Sequence, residues 1–217
     1  MRTRSFRLLA ALGLLLCVAG AWAQSTAAPT AQSVDTLKKL AASGDSNAQY
    51  KLAGHYLAGA GVQQSTAEAL VWFRKAAERG DAKSQYELGQ LYEDGGPMTV
   101  VKRPDGLFEG TPATGNAAIP KDIALAAIWF RKAAERGYSL AQNHLGMLYE
   151  NGEGIPQDYR EAYFWLSLGE ANGSTSTTND VDERDRVASH LTKAVLLQTQ
   201  ERARKWVVDH PAKTPLQ

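Results

Sequence analysis

The stretch that decides the fold is Trp72-Phe73-Arg74-Lys75-Ala76-Ala77-Glu78-Arg79-Gly80, because it returns unchanged at residues 129–137. A looser third copy occupies residues 165–173, so the tryptophans stand 57 and then 36 residues apart. Upstream, Leu52-Ala53 with Tyr56 returns as Leu88-Gly89 with Tyr92 and as Leu145-Gly146 with Tyr149, spaced 36 and then 57. Both series fit one unit of 36 residues whose second copy carries 21 more. Self-similarity at a period of this size marks a stack of supersecondary units.

Each unit reads as two helices. Ala48, Leu52 and Tyr56 follow a four-residue step in the first, and Ala69, Trp72, Phe73 and Ala76 fall at i, i+3, i+4 and i+7 in the second. Gly59-Ala60-Gly61 and Gly152-Glu153-Gly154 break the chain between them. Asp122 and Asp158, each two residues after a proline, sit where they cap a second helix, and Gly80, Gly137 and Gly173 end the second helices. A single unit cannot bury its apolar stripe alone, whereas stacked units bury it against one another. The expected fold is all-α: a right-handed α-solenoid of about three helix-pair repeats with capping helices at both ends.

The expected boundaries follow. Residues 1–23 are a signal peptide: Arg2, Arg4 and Arg7 precede an apolar run, and Ala21-Trp22-Ala23 is a small-x-small cleavage site. Residues 24–33 form a flexible N-terminus and 34–43 an N-capping helix, since Gly44 takes the place of Gly80. Repeats cover 44–80, 81–137 with an insertion at 97–118, and 138–173. A linker spans 174–180, a C-terminal cap of one helix or two spans 181–210, and a tail spans 211–217. Cleavage after Ala23 takes the basic count from 24 to 21 against 23 acids, a net charge of −2, too balanced for a nucleic-acid surface. Cys17, the only cysteine, leaves with the leader, so the remainder has neither disulfide nor thiolate. The expected location is the periplasm, with secretion as the alternative.

The third unit carries the full pattern Ala141-x-x-x-Leu145-Gly146-x-x-Tyr149-x-x-Gly152-x-Gly154-Ile155-Pro156-x-Asp158-x-x-x-Ala162-x-x-Trp165. It resembles the Sel1-like repeat, a relative of the tetratricopeptide repeat, over about residues 44–173. Ala53 for glycine and Ser65 for aspartate are mild departures in the first unit. In the third, Gly169-Glu170 replaces an alanine pair, which is expected to loosen its hold on the C-terminal cap.

Catalytic patterns are missing from the sequence. No histidine opens a His-Glu-x-x-His motif, and no Ser-x-x-Lys, Gly-x-Ser-x-Gly, Walker loop or Gly-x-Gly-x-x-Gly occurs. Asn179-Asp180-Val181-Asp182 lacks the glycine and closing glutamate of a calcium loop and reads as the charged start of a helix. His55 and His144 read as surface or satisfied histidines, the tryptophans as core, and the Arg-Lys pairs as solvated helix surface. No cofactor or metal is implied.

The resemblance implies a binding protein whose inner groove is lined by first helices. Columns that differ between otherwise matching units are the candidate contacts: Asn47, Lys83 and Leu140; Tyr50, Tyr86 and Asn143; Gly54, Gln90 and Met147. Related tetratricopeptide repeats hold peptides at equivalent columns. Alanine at Tyr50 and Tyr86 is expected to abolish capture and spare helicity. The insertion is longer than compact domains usually tolerate without a function or disorder. Val100 to Phe108 contains a Pro-Asp-Gly turn that suits a small hairpin, with Leu107 and Phe108 as contacts to the solenoid or a partner. The expected function is a non-enzymatic adaptor or regulator for a protein or peptide in the cell envelope. The alternatives are a cell-wall-active, β-lactamase-like enzyme and an immunity protein neutralising a secreted effector. Some cysteine-rich members of the resembled family are linked to β-lactam hydrolysis, but their cysteine pairs are missing here.

Overall fold

The computed structural model of the protein describes residues 29–95, 100–102, 108–110, 119–173 and 183–210. The stretches expected as signal peptide, linker and tail, the run 179–182 and Leu107 lie outside the described residues. The described helices are α1 (Pro29–Ala42), α2 (Ser46–Ala58), α3 (Thr66–Glu78), α4 (Ala82–Asp94), α5 (Ile123–Glu135), α6 (Ser139–Asn151), α7 (Tyr159–Ala171), α8 (Glu183–Ala188) and α9 (Lys193–Asp209). Each of α2 to α7 is 13 residues long, the regularity that the sequence period demands. From α1 to α8 each helix packs on the next in the chain; α7 also packs on α9. The architecture is an all-α solenoid.

Start signals recur with the repeat. Asp45, Asp81, Asp122 and Asp158 each accept a backbone N–H in the first turn of α2, α4, α5 and α7, and Ser65 does the same for α3. The serine therefore does the aspartate's work in the first unit. The exception is α6, where Tyr138 occupies the column of Asp45 and Asp81 and makes no side-chain cap. At the α6–α7 turn, Gly154 has φ +69° and its backbone lies against the start of α5. A Cβ there would stand 2.6 Å from the carbonyl carbon of Ile123, so no other residue fits.

Four devices recur through the layers. Phe73, Phe130, Leu88, Leu145 and Leu168 fill the interior. Buried Gln49, Gln85 and Gln142 donate Nε2 to the carbonyls of Ala41, Ala77 and Ala134 at 3.0, 2.9 and 3.0 Å. These carbonyls lie in the last turn of the preceding helices, where each also accepts the backbone N–H of Gly44, Gly80 or Gly137, so the glutamine takes up the second lone pair. Arg74 and Arg131 donate to the hydroxyls of Tyr92 and Tyr149 in the next first helix. Lys75 and Lys132 lie 4.1 Å over the Trp72 and Trp129 rings. The Arg-Lys pairs are largely exposed, as expected of a solvated helix face, and from there the arginines join helices while the lysines lie over indoles.

Further expectations are revised. The N-terminal helix begins at Pro29, so residues 29–33 of the stretch expected to be flexible are helical; proline is tolerated at a first helical position and no breaker intervenes before Gly44. The insertion contains the short antiparallel pair β1 (Val100–Lys102) and β2 (Phe108–Gly110), with Val101 opposite Glu109. The side chain of Phe108 lies outside what is described. At Gly169 a Cβ would collide with Asn143 Oδ1, so the glycine makes room for the asparagine of α6. Glu170 pairs with Arg184 of α8 at the surface.

Candidate functional site

The groove beside the first repeat is built from local rules. Helix α2 turns Tyr50, Gly54 and Leu57 to one side by helical periodicity, α1 contributes Leu37, α3 contributes Phe73 and α4 contributes Glu87. With Lys51, His55, Ala58 and Ala60 they surround a groove of about 820 Å³. Gly54 forms part of its wall, and a Cβ added there would meet nothing within 4 Å. The Tyr50 ring leans on Phe73 with centroids 5.8 Å apart, and its hydroxyl donates to Glu87 Oε1 at 3.5 Å. Lys83 Nζ stands 6.0 Å over the same ring. His55 donates Nδ1–H to the Ala60 carbonyl, which fixes the ring beside the α2–α3 turn.

Burial pushes the Glu87 carboxyl up, and only the Tyr50 hydrogen bond opposes this. Tyr50 and Tyr138 are both pushed up, first by burial and then by the Glu87 charge. Tyr86 is pushed up to about 12, by burial first and then by Tyr138, Glu87, Glu93 and Asp94.

The nine candidate contacts do not act as one stripe. Tyr50 and Gly54 line the groove, and Lys83 stands over Tyr50. Asn47, Leu140 and Met147 are exposed, while Gln90 and Asn143 are partly buried. Tyr86 is corrected to a packing residue: it is 7% exposed and wedged among Phe130, Tyr138 and His144, at centroid distances of 5.7, 5.2 and 5.4 Å. Its alanine variant would open a cavity, so the expected sparing of the fold does not hold. His144 is satisfied on both nitrogens, by Glu93 Oε2 at 3.3 Å and by the Tyr86 hydroxyl at 3.1 Å. Among the described residues no group of three or more His, Cys, Asp or Glu is placed to hold a metal ion.

Sequence reading missed Glu87, Leu37 and Phe73 as lining residues. Phe73 belongs to a core column and Leu37 to an unpaired helix, so neither gave a signal. Glu87 did: with Lys51 and His144 it forms a column that changes charge between units, next to the tyrosine column.

A stack of helix pairs that repeats at a fixed period, with a groove beside its first unit, defines an α-solenoid repeat protein. The chain belongs to the Sel1 repeat family, whose pattern matches residues 46–81, 82–103, 113–138 and 139–174, more than half of its length. The second and third segments run into the insertion from either side and leave 104–112 unmatched. Among solved structures, a Sel1 repeat protein from Oxalobacter formigenes is 28% identical with a TM-score of 0.52, over 81% of this chain and 99% of that one. A protective antigen of uropathogenic Escherichia coli strains with an SLR fold is 27% identical with a TM-score of 0.39, over 82% of this chain and 41% of that one. An immunity protein from Pseudomonas aeruginosa is 20% identical with a TM-score of 0.32, over 91% and 81% of the two chains. No curated protein matches the sequence. Among the described residues no helix is long and apolar enough to cross a membrane.

Proposed function

We propose that this protein is a non-enzymatic adaptor of the cell envelope, exported to the periplasm, that holds a protein or peptide segment along its first-helix face. The observation that carries the reading is the open groove of about 820 Å³ at Tyr50, Gly54 and Phe73. It exposes aromatic and aliphatic surface beside charged groups, the mixture from which anchoring pockets are made. Sel1 repeats are in general modules of protein–protein interaction. The basic leader and the Ala21-Trp22-Ala23 site support export.

The experiment is a groove block that leaves the fold alone. Gly54→Phe places a ring in open space on an exposed helical position. Partner capture from an envelope extract is expected to fall to background while the far-ultraviolet circular dichroism stays unchanged. Equal capture by both forms would remove the groove from the function. Export is checked by N-terminal sequencing of the protein recovered from the periplasm, expected to begin at Gln24.

A further inference from the structure

We propose that the groove reads a basic side chain: a lysine or arginine of the bound segment, flanked by apolar residues, seated between the Tyr50 ring and the Glu87 carboxylate. The inference rests on the groove being the binding site and adds the chemistry of what enters it.

Among the described residues Glu87 is a carboxylate with no ion-pair partner. Its hydrogen bond from Tyr50, at 3.5 Å, is at the outer limit of such contacts. Lys83 lies one turn before it on α4, in the order that favours helical ion pairs less, and its ammonium goes to the Tyr50 ring instead. Lys51 lines the same groove without forming an ion pair to Glu87. Such acids are rarely left half-buried and unpaired. A cation from outside would therefore gain a carboxylate whose desolvation has already been met, together with an aromatic face.

The tyrosines around it are not demanded by the helices. Tyr138 stands where the other first helices of the repeats carry a capping aspartate, and α6 forgoes that cap. In exchange its ring packs 5.2 Å from Tyr86, beside the acidic position. The partly exposed Leu37 and Leu57 give the flanking wall an apolar surface, backed by the buried Phe73, that aliphatic neighbours of the basic residue can cover. The column Lys51, Glu87, His144 makes the second unit the only one of the three with an acid at this point.

The test uses the purified full chain on an array of random decapeptides, with Glu87→Gln, Gly54→Phe and, as a charge-matched control, Glu153→Gln at an exposed turn. Peptides retained by the parent protein are expected to be enriched in Lys or Arg beside Leu, Ile, Val or Phe. Glu87→Gln is expected to weaken those peptides about tenfold, as loss of one charge-assisted hydrogen bond implies, and Glu153→Gln to leave them unchanged. Circular dichroism and melting confirm that each variant is folded. Binding that Gly54→Phe abolishes but that shows no basic enrichment, or an enrichment that Glu87→Gln leaves intact, would overturn the inference while keeping the groove as a binding site. Equal loss in both glutamine variants would reduce it to net-charge attraction and overturn it as well. No binding by the parent protein would remove both readings.

Discussion

Gly89 lies face to face with the buried ring of Phe130: a methyl group on its Cα would stand 2.4 Å from Cε1. Helices α4 and α5 are drawn together at this point, and the same closeness recurs between Gly146 and Leu166, where the distance is 2.7 Å. Phe130 is completely enclosed and cannot yield without displacing its neighbours. Gly89→Ala is therefore expected to destabilise the protein by about 1–3 kcal/mol through overpacking. Gly54→Ala, with nothing near its new methyl, should stabilise by about 0.5–1 kcal/mol because glycine is a poor helix former. Urea unfolding of the two variants measures the contrast, and equal effects would contradict the packing described.

That contrast shows how far the sequence could be read. Gly89 and Gly146 recur at the repeat period beside Leu88 and Leu145, so close approach was legible as a pattern. The helix-pair fold followed from the tryptophan-bearing segment for the same reason: every copy repeats the same local demand. Gln49, Gln85 and Gln142 recur just as regularly, yet nothing local distinguishes a buried glutamine from a surface one. Their burial depends on a carbonyl eight residues away, presented by the end of another helix. Tyr86 was misjudged similarly. Variation between units marks a position that the repeat does not dictate, but the neighbouring Tyr138 and His144 vary with it and enclose it. In the candidate site, Tyr50 and Gly54 were legible, and Glu87 was marked by its charge-changing column; its pairing with Tyr50, 37 residues away, needed the folded chain.

Glu87 has a signature of its own in pH. Burial raises its pKa in the folded state above the ordinary 4.5, so folding favours the protonated form. Stability is then lost as pH rises from 4.5 through the raised folded value, the reverse of the usual paired carboxylate. Glu87→Gln removes that loss. The variant should melt above the parent at neutral pH, and its advantage should shrink as pH falls below 4.5. Melting curves at several pH values check this; a variant that melts lower at pH 7 would mean that the carboxylate stabilises the fold.

The tyrosine cluster predicts the opposite end of the pH scale. Burial, followed by the negative charges around it, pushes Tyr86 up to about 12. The folded state holds this proton more tightly than the unfolded chain, so stability declines as pH rises from 10 through about 12. Tyr86→Phe should cost about 1 kcal/mol at neutral pH, for the hydrogen bond to His144, and should lessen the alkaline decline. Phenolate absorbance followed against pH would show one tyrosine fewer among those that titrate late. If the late fraction is the same in both proteins, Tyr86 is not the shifted group.

The last prediction concerns how the solenoid is closed. Arg186 of α8 reaches back to Glu150 of α6, donating Nε to Oε1 at 2.6 Å and Nη2 to Oε2 at 2.8 Å. The glutamate side chain is 9% exposed and the arginine 59%, so the acid depends on this partner more than the base does. Two further pairs, Arg184 with Glu170 and Arg202 with Glu161, join the cap to α7, but each has one partner more than half exposed and is weaker for it. Arg186→Met should cost about 1–3 kcal/mol by leaving a buried carboxylate unpaired. Adding Glu150→Gln to it should recover part of that loss, because the charge that needed a partner is gone. Hydrogen exchange should quicken in α8 and α9 of the single variant, with α2 to α5 unchanged. Uniform quickening through every helix would show that the cap unfolds only with the whole stack.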